Sequence, residues 1–164
     1  MDNLNRKRRS ANMRQIRSKD TSPELFVRSL LHRSGYRFRL HRRDLPGKPD
    51  LVFPARRKAI FVHGCFWHQH AGCREGRIPG SRTEYLVPKL TQNRRRDEKN
   101  QALLREQGWK TKVVWECELK HPAAVRSRVV RFLGPAAGAV SPVRKPRSDS
   151  ARSLSRPERR AARS

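Results

Sequence analysis

Apolar positions in this chain switch between a helical and a strand-like period, and the switches divide it into elements. Leu25, Phe26, Val27, Leu30 and Leu31 make one apolar stripe. They predict a helix that starts at Thr21 or Ser22, carries Pro23 in its first turn and stops at Gly35. Glu24 stands in that first turn, where a carboxylate favours the positive helix end. Tyr36 to His41 alternates apolar with basic residues, as a half-buried strand does. Leu45-Pro-Gly-Lys-Pro49 breaks the alternation, and Asp50 to Phe53 predicts a second short strand. After a basic turn, Ala59 to His63 is a third strand, more apolar and therefore central. Tight connections make the three an antiparallel meander. A long helix is predicted from Thr83-Glu84 to about Gln107. Leu86, Leu90, Asn93, Asp97, Leu103 and Leu104 lie at roughly helical spacing, Pro88 is tolerable only in the first turn, and Gly108 closes it. Lys110 to Trp115 is a fourth strand, with Cys117 just past its end, and Pro122 opens a last helix that ends at Gly134.

Composition sets the frame around these elements. The 164 residues allow one domain with appendages. Residues 1–20 read as a basic N-terminal arm, by composition a disordered or surface tail and on the sharper reading an arm that orders on nucleic acid, residues 21–134 as the folded domain, and residues 135–164 as a tail. From Pro135 onward the chain is Pro, Ala, Ser and Arg without an aromatic, so it cannot bury enough surface to offset its ordering entropy. A disordered basic tail that adds non-specific affinity is the expectation. With 40 Lys+Arg against 14 Asp+Glu, a net charge of +26, the partner is a polyanion whose counterions are released on binding. No apolar run of about 18 residues exists to span a bilayer. The first residues have no apolar stretch after their charges, so a cytoplasmic, reducing location is expected. Three cysteines, an odd number, suit metal binding or free thiols better than a disulfide framework.

The candidate chemistry is concentrated between Ala59 and Cys73. Cys65, His70 and Cys73 offer thiolate and imidazole in the combination tetrahedral zinc prefers, and Cys117 can complete the set if the fourth strand lies beside the third. By spacing alone His68 is a competing ligand. Asp50 opens a strand whose antiparallel neighbour ends at His63, with His68 beyond. One carboxylate in such a place holds a hard cation such as magnesium together with phosphate and water, and an imidazole nearby can take a proton from the water. A Pro-Asp dipeptide by itself is ordinarily a turn. Phe66-Trp67, with Met13 from the arm, is suited to wedge between bases, at a cost of a few kcal/mol per unstacked step.

Asn12-Met-Arg14, Thr21-x-x-Glu24, Leu45-Pro-Gly-Lys-Pro-Asp50, Phe61-Val-His-Gly-Cys-Phe-Trp-His68, Arg82-Thr-Glu84, Arg96-Asp97, Gly108-Trp109 and Val114-Trp-Glu-Cys117 occur in this order. Together they resemble the very-short-patch-repair mismatch endonucleases over about residues 10–120, and the Gly-Cys-Phe-Trp-His segment is the most specific part. The resemblance implies an α/β fold with a restriction-endonuclease-like core (helix, three-stranded meander, helix, strand, helix) and a zinc-bound loop. It implies nicking of double-stranded DNA 5′ to the thymine of a T:G mismatch left by deamination of 5-methylcytosine, by a monomer that meets repair-protein partners on the nucleoid. Position by position it makes Asp50 and the Val62 backbone carbonyl magnesium ligands, His68 the general base and His63 a second catalytic imidazole. Glu24 becomes an outer ligand through water, Cys65, His70, Cys73 and Cys117 the zinc ligands, and Met13, Phe66 and Trp67 the intercalating residues. The assignment also frees His68 from zinc. Val62 stands where the family has a threonine, and the Ala71-Gly72 spacer is one residue longer than in the familiar form. The rival readings are a non-catalytic zinc-containing DNA-binding module and a related nuclease that cuts unmismatched DNA.

Overall fold

The computed structural model describes residues 19–80 and 83–136. Among them are three α-helices, α1 (Ser22–Arg33), α2 (Thr83–Glu106) and α3 (Pro122–Leu133), and four strands, β1 (Arg39–Leu40), β2 (Leu51–Phe53), β3 (Lys58–His63) and β4 (Lys110–Trp115). The sheet order is β1-β2-β3-β4. β1 and β2 run antiparallel, as do β2 and β3, and the register pairs Leu51 with Ile60. β4 returns parallel to β3, with His63 opposite Trp115. Met13, the rest of the arm up to residue 18 and the tail from residue 137 lie outside the described residues.

Alternation along the strands builds two cores. Leu51, Phe53, Ile60 and Val114 face Val27 and Leu31 of α1 and Val125, Val129 and Leu133 of α3. Val52, Ala59 and Phe61 face the other way, onto Leu104 of α2, Leu45 and Trp109. The result is a mixed α/β sheet covered on both faces, which is why β3 reads as a nearly continuous apolar run. This architecture is compatible with a nuclease-like fold.

Three elements differ from the expectation. On α1 the buried positions are Glu24, Val27 and Leu31, whereas Leu25 is 51% and Phe26 38% exposed. The inward stripe has a charged member, so a pattern built on apolar residues alone is rotated off it. The strand predicted over Tyr36 to His41 shrinks to Arg39–Leu40. Tyr36 leaves the sheet edge for the core, and its hydroxyl donates to the Gly134 carbonyl at 2.5 Å. Pro88 lies inside α2, beyond its first turn. It is exposed, so water can serve the Glu84 carbonyl that its missing amide leaves free.

Candidate active site and metal loop

β3 and β4 end side by side, and the loops that follow them meet above the sheet at the carboxyl ends of its parallel pair. Crevices at such ends are where open α/β sheets place ligands. A cleft of about 820 Å³ opens here, with Glu24, Asp50, Val62, His63, His68 and Asp97 among its lining residues. Lys19, Arg43, Lys48, Lys89 and Arg96 line it as well. Its charge therefore suits a phosphodiester backbone.

Asp50 sits just before β2, and its Oδ2 accepts the Val62 amide across the sheet at 2.7 Å. Burial pushes its carboxyl up to about 6, an effect the Val62 amide opposes and the Glu24 charge reinforces. A half-buried, singly bonded carboxylate with a like charge nearby is a group that gains from a cation. Glu24 is itself 5% exposed. It accepts hydrogen bonds from the Asp20 amide at 3.0 Å, the Thr21 hydroxyl at 3.0 Å and Arg28 Nη2 at 2.9 Å.

At the end of β3, the His63 ring stacks on the His68 ring with centroids 3.8 Å apart and planes at 12°. Burial first, and the neighbouring His68 second, lower the pKa of His63 to about 3, so it is neutral at ordinary pH. His68 Nδ1 lies 2.5 Å from Asp97 Oδ2, a carboxylate projected from the middle of α2. With Nδ1–H given to Asp97, Nε2 of the neutral ring is free to accept a proton. Asp97 is a site residue that no local motif marks. Its signal is positional: Leu90, Asn93, Asp97, Asn100 and Leu104 follow helical spacing on the inward side of α2, and polar residues there interrupt an otherwise apolar face.

The second constellation lies beside the first. Ligand atoms of Cys65, His70, Cys73 and Cys117 all fall within 4.8 Å of one another. His70 Nδ1 is 3.6 Å from Cys65 Sγ and 3.3 Å from Cys117 Sγ. A tetrahedral zinc site with bonds near 2.0–2.3 Å has ligand–ligand edges of about 3.5–3.8 Å, so the donor set and its spacing fit such an ion. Cys117 reaches the group because the β3–β4 register places Glu116–Lys120 beside Gly64 and Cys65. The loop is tightly turned. The His70 amide donates to the Cys65 carbonyl at 3.0 Å, and a Cβ on Gly76 would come within 2.8 Å of the His70 carbonyl oxygen. Burial drives the Cys65 thiol up to about 12. His68 stands outside this group and belongs with Asp97.

Phe66 and Trp67 meet edge to face, with centroids 5.0 Å apart, and both are half-buried. Asn93 Nδ2 donates to the Trp67 carbonyl at 3.2 Å, and Lys89 Nζ lies 5.3 Å from its ring centroid. Trp67 is thus held on α2 at the edge of the cleft, with Phe66 packed against it.

Comparison with known proteins bears directly on this site. Residues 1–74, which include Asp50, His63 and His68, match the family described as DNA mismatch endonuclease Vsr. A type II nicking enzyme of Xanthomonas oryzae pv. oryzae, V.XorIIP, is 55% identical over 134 residues, 82% of this chain and 98% of the relative. The chain belongs to the Vsr family. Two other relatives span a wider range of bacteria. The type II nicking enzyme V.NmeAIP of Neisseria meningitidis is 44% identical over 77% of this chain and 89% of its own length. The DNA mismatch endonuclease Vsr of Escherichia coli is 44% identical over 68% of this chain and 71% of its own length. Membership in the Vsr family makes the chain one of a family of endonucleases that act on DNA. No helix among the described residues is long and apolar enough to cross a membrane.

Proposed function

We propose that the chain is a magnesium-dependent, strand-specific endonuclease that nicks DNA 5′ to the thymine of a T:G mismatch, on a restriction-endonuclease-like scaffold. The observation that carries this reading is the His68–Asp97 pair, which presents an imidazole base to the same cleft that holds Asp50. Asp50 and the Val62 backbone carbonyl would hold magnesium, with Glu24 as an outer ligand. When bound, that ion supplies charge stabilisation at the scissile phosphate. Asp97 fixes the His68 tautomer. His68 takes a proton from water, which attacks phosphorus in line while the opposite phosphorus–oxygen bond breaks. His63, kept neutral by burial, adds no positive charge beside His68 and can hydrogen-bond the phosphate or the attacking water. Cys65, His70, Cys73 and Cys117 would hold a structural zinc, and Phe66 and Trp67, with Met13, would enter the base stack. The mispair lowers the cost of opening the duplex at that point. Cytoplasmic action as a monomer on double-stranded DNA follows from this reading.

The test is a labelled duplex with one T:G pair, incubated with magnesium or with EDTA, beside a matched T:A duplex. A magnesium-dependent nick in the thymine strand of the T:G duplex alone is expected. A mobility shift without cleavage points instead to a binding module, and equal cleavage of both duplexes to a nuclease of restriction type.

A further inference from the structure

Behind Glu24 and His41, which line the Asp50 cleft, lies a mostly buried cation, Arg28. It projects from α1 with its side chain 11% exposed. Its Nη1 donates to Asp20 Oδ1 at 2.5 Å and its Nη2 to Glu24 Oε2 at 2.9 Å, and Nη2 lies 2.9 Å from His41 Nε2. Asp20, Glu24 and His41 present ligand atoms close enough together to hold a cation. The guanidinium bonded to all three supplies it. Two of these residues reach the group through backbone that side chains rarely adopt, with φ of 55° at Asp20 and 45° at His41. Left-handed conformations at two non-glycine positions around one guanidinium mark a site whose surroundings over-determine it. Arg28 Nε is buried with no hydrogen-bond partner among the described residues, a cost an apolar residue here would not carry. Stability alone is a poor reason for this arrangement, because a buried ion pair replaced by packed apolar groups is often neutral or better.

What the arrangement does geometrically is to orient Glu24. The carboxylate is gripped at Oε1 by Thr21 and at Oε2 by the Asp20 amide and Arg28, and it lines the cleft with Asp50. Lysine cannot reproduce this, since a point ammonium lacks the planar fork that reaches Asp20 and Glu24 at once. We propose that Arg28 is a positioning residue for the magnesium centre, a permanent cation that, braced by Asp20, holds Glu24 and His41 in one wall of the cleft and acts on the reaction through Glu24. The inference rests on the reading of Asp50 and Glu24 given under Proposed function.

The experiment uses the full chain and the T:G duplex, with Arg28→Lys, Arg28→Met, Glu24→Gln and the Arg28→Met/Glu24→Gln double variant beside Asp50→Ala. Single-turnover nicking is measured against magnesium concentration, and Mn²⁺ binding to the enzyme–duplex complex is followed by electron paramagnetic resonance. Loss of a residue that orients a metal ligand is expected to weaken Mn²⁺ binding and lower the nicking rate by roughly 10–100-fold. Arg28→Met and Arg28→Lys should both show this, with duplex affinity unchanged. The double variant should be no worse than Glu24→Gln alone. Losses that multiply in the double variant, or a variant that melts earlier yet keeps wild-type Mn²⁺ binding and magnesium dependence, would overturn the proposal. The controls separate the two levels: if the wild type needs no magnesium, or Asp50→Ala still nicks, the reading of the site fails first. If both controls behave and Arg28 acts independently of Glu24, this inference alone fails.

Discussion

In the proposed reaction Asp50 serves a cation, and His68, held by Asp97, serves as the base. Removing the base, His68→Ala, should slow single-turnover nicking by about 10²–10⁴-fold, the usual worth of a positioned general base, while T:G duplex affinity in a mobility-shift assay stays within a few-fold. Asp97→Ala should cost less, because the ring survives and only its tautomer and orientation are lost. Asp50 also makes a pH prediction. Its folded pKa, raised to about 6 from 3.8, means that the folded protein binds this proton more tightly than the unfolded chain. The carboxyl therefore costs nothing well below pH 4, and the penalty grows as pH rises through about 6. In EDTA, Asp50→Asn should be more stable than the wild type at pH 8 by on the order of 1–3 kcal/mol, and the gap should close towards pH 4. Urea melts of the two proteins at both pH values check this; a gap that widens in acid would contradict it. Asp50 was singled out from its place at the start of a strand, but its burial was not visible there. That depends on α1 and Glu24, residues distant in sequence.

At the level of elements, the β3–β4 register joins the two constellations. His63 and Trp115 are paired across it, the Trp115 ring stacks on His70 with centroids 4.1 Å apart, and His63 meets Trp115 edge to face at 5.4 Å. A contiguous set of rings thus runs from the metal loop to the His63–His68 stack. Glu75 and Lys120 add an exposed ion pair that ties the Arg74–Gly76 turn to Glu116–Lys120, weak because water screens it. Zinc, by contrast, would hold four side chains from the two segments. Cys117→Ser is expected to release about one zinc per chain to a chromogenic chelator, to lower the melting temperature by several degrees, and to reduce nicking along with it. Preserved melting and nicking in the zinc-free protein would separate the loop from the active site. The nearness of Cys65, His70 and Cys73 is legible from their spacing. Cys117 needed the parallel pairing of β4 with β3, which rests on a crossover of more than forty residues between their ends. α1 shows the opposite situation: its limits were readable, but its inward face was not, because Glu24 is buried through Arg28 rather than through apolarity.

Across the whole molecule, charge and shape act together. Lys19, Arg43, Lys48, Lys89 and Arg96 surround the cleft, and the net charge is +26. Affinity for matched DNA should fall steeply with salt, and Lys48→Ala should reduce the slope of log K against log salt by about one while leaving the preference for T:G over T:A intact. Fluorescence-anisotropy titrations at several salt concentrations measure both.

By itself the sequence determined the element limits with strong local signals: Pro23 and Gly35 around α1, Gly108 and Gly134 after α2 and α3, and Lys110 to Trp115 as β4. It also determined the polyanion partner, because charge needs no fold to be counted, and the ligand types between Cys65 and Cys73, because a short loop keeps its members close. Only the tertiary structure decided that Asp97 holds His68, that Cys117 joins Cys65, His70 and Cys73, and that Arg28 faces Glu24 rather than solvent. The reason is physical. Those contacts are made where helix faces and strand ends meet, and their energies depend on burial that no single segment can create alone.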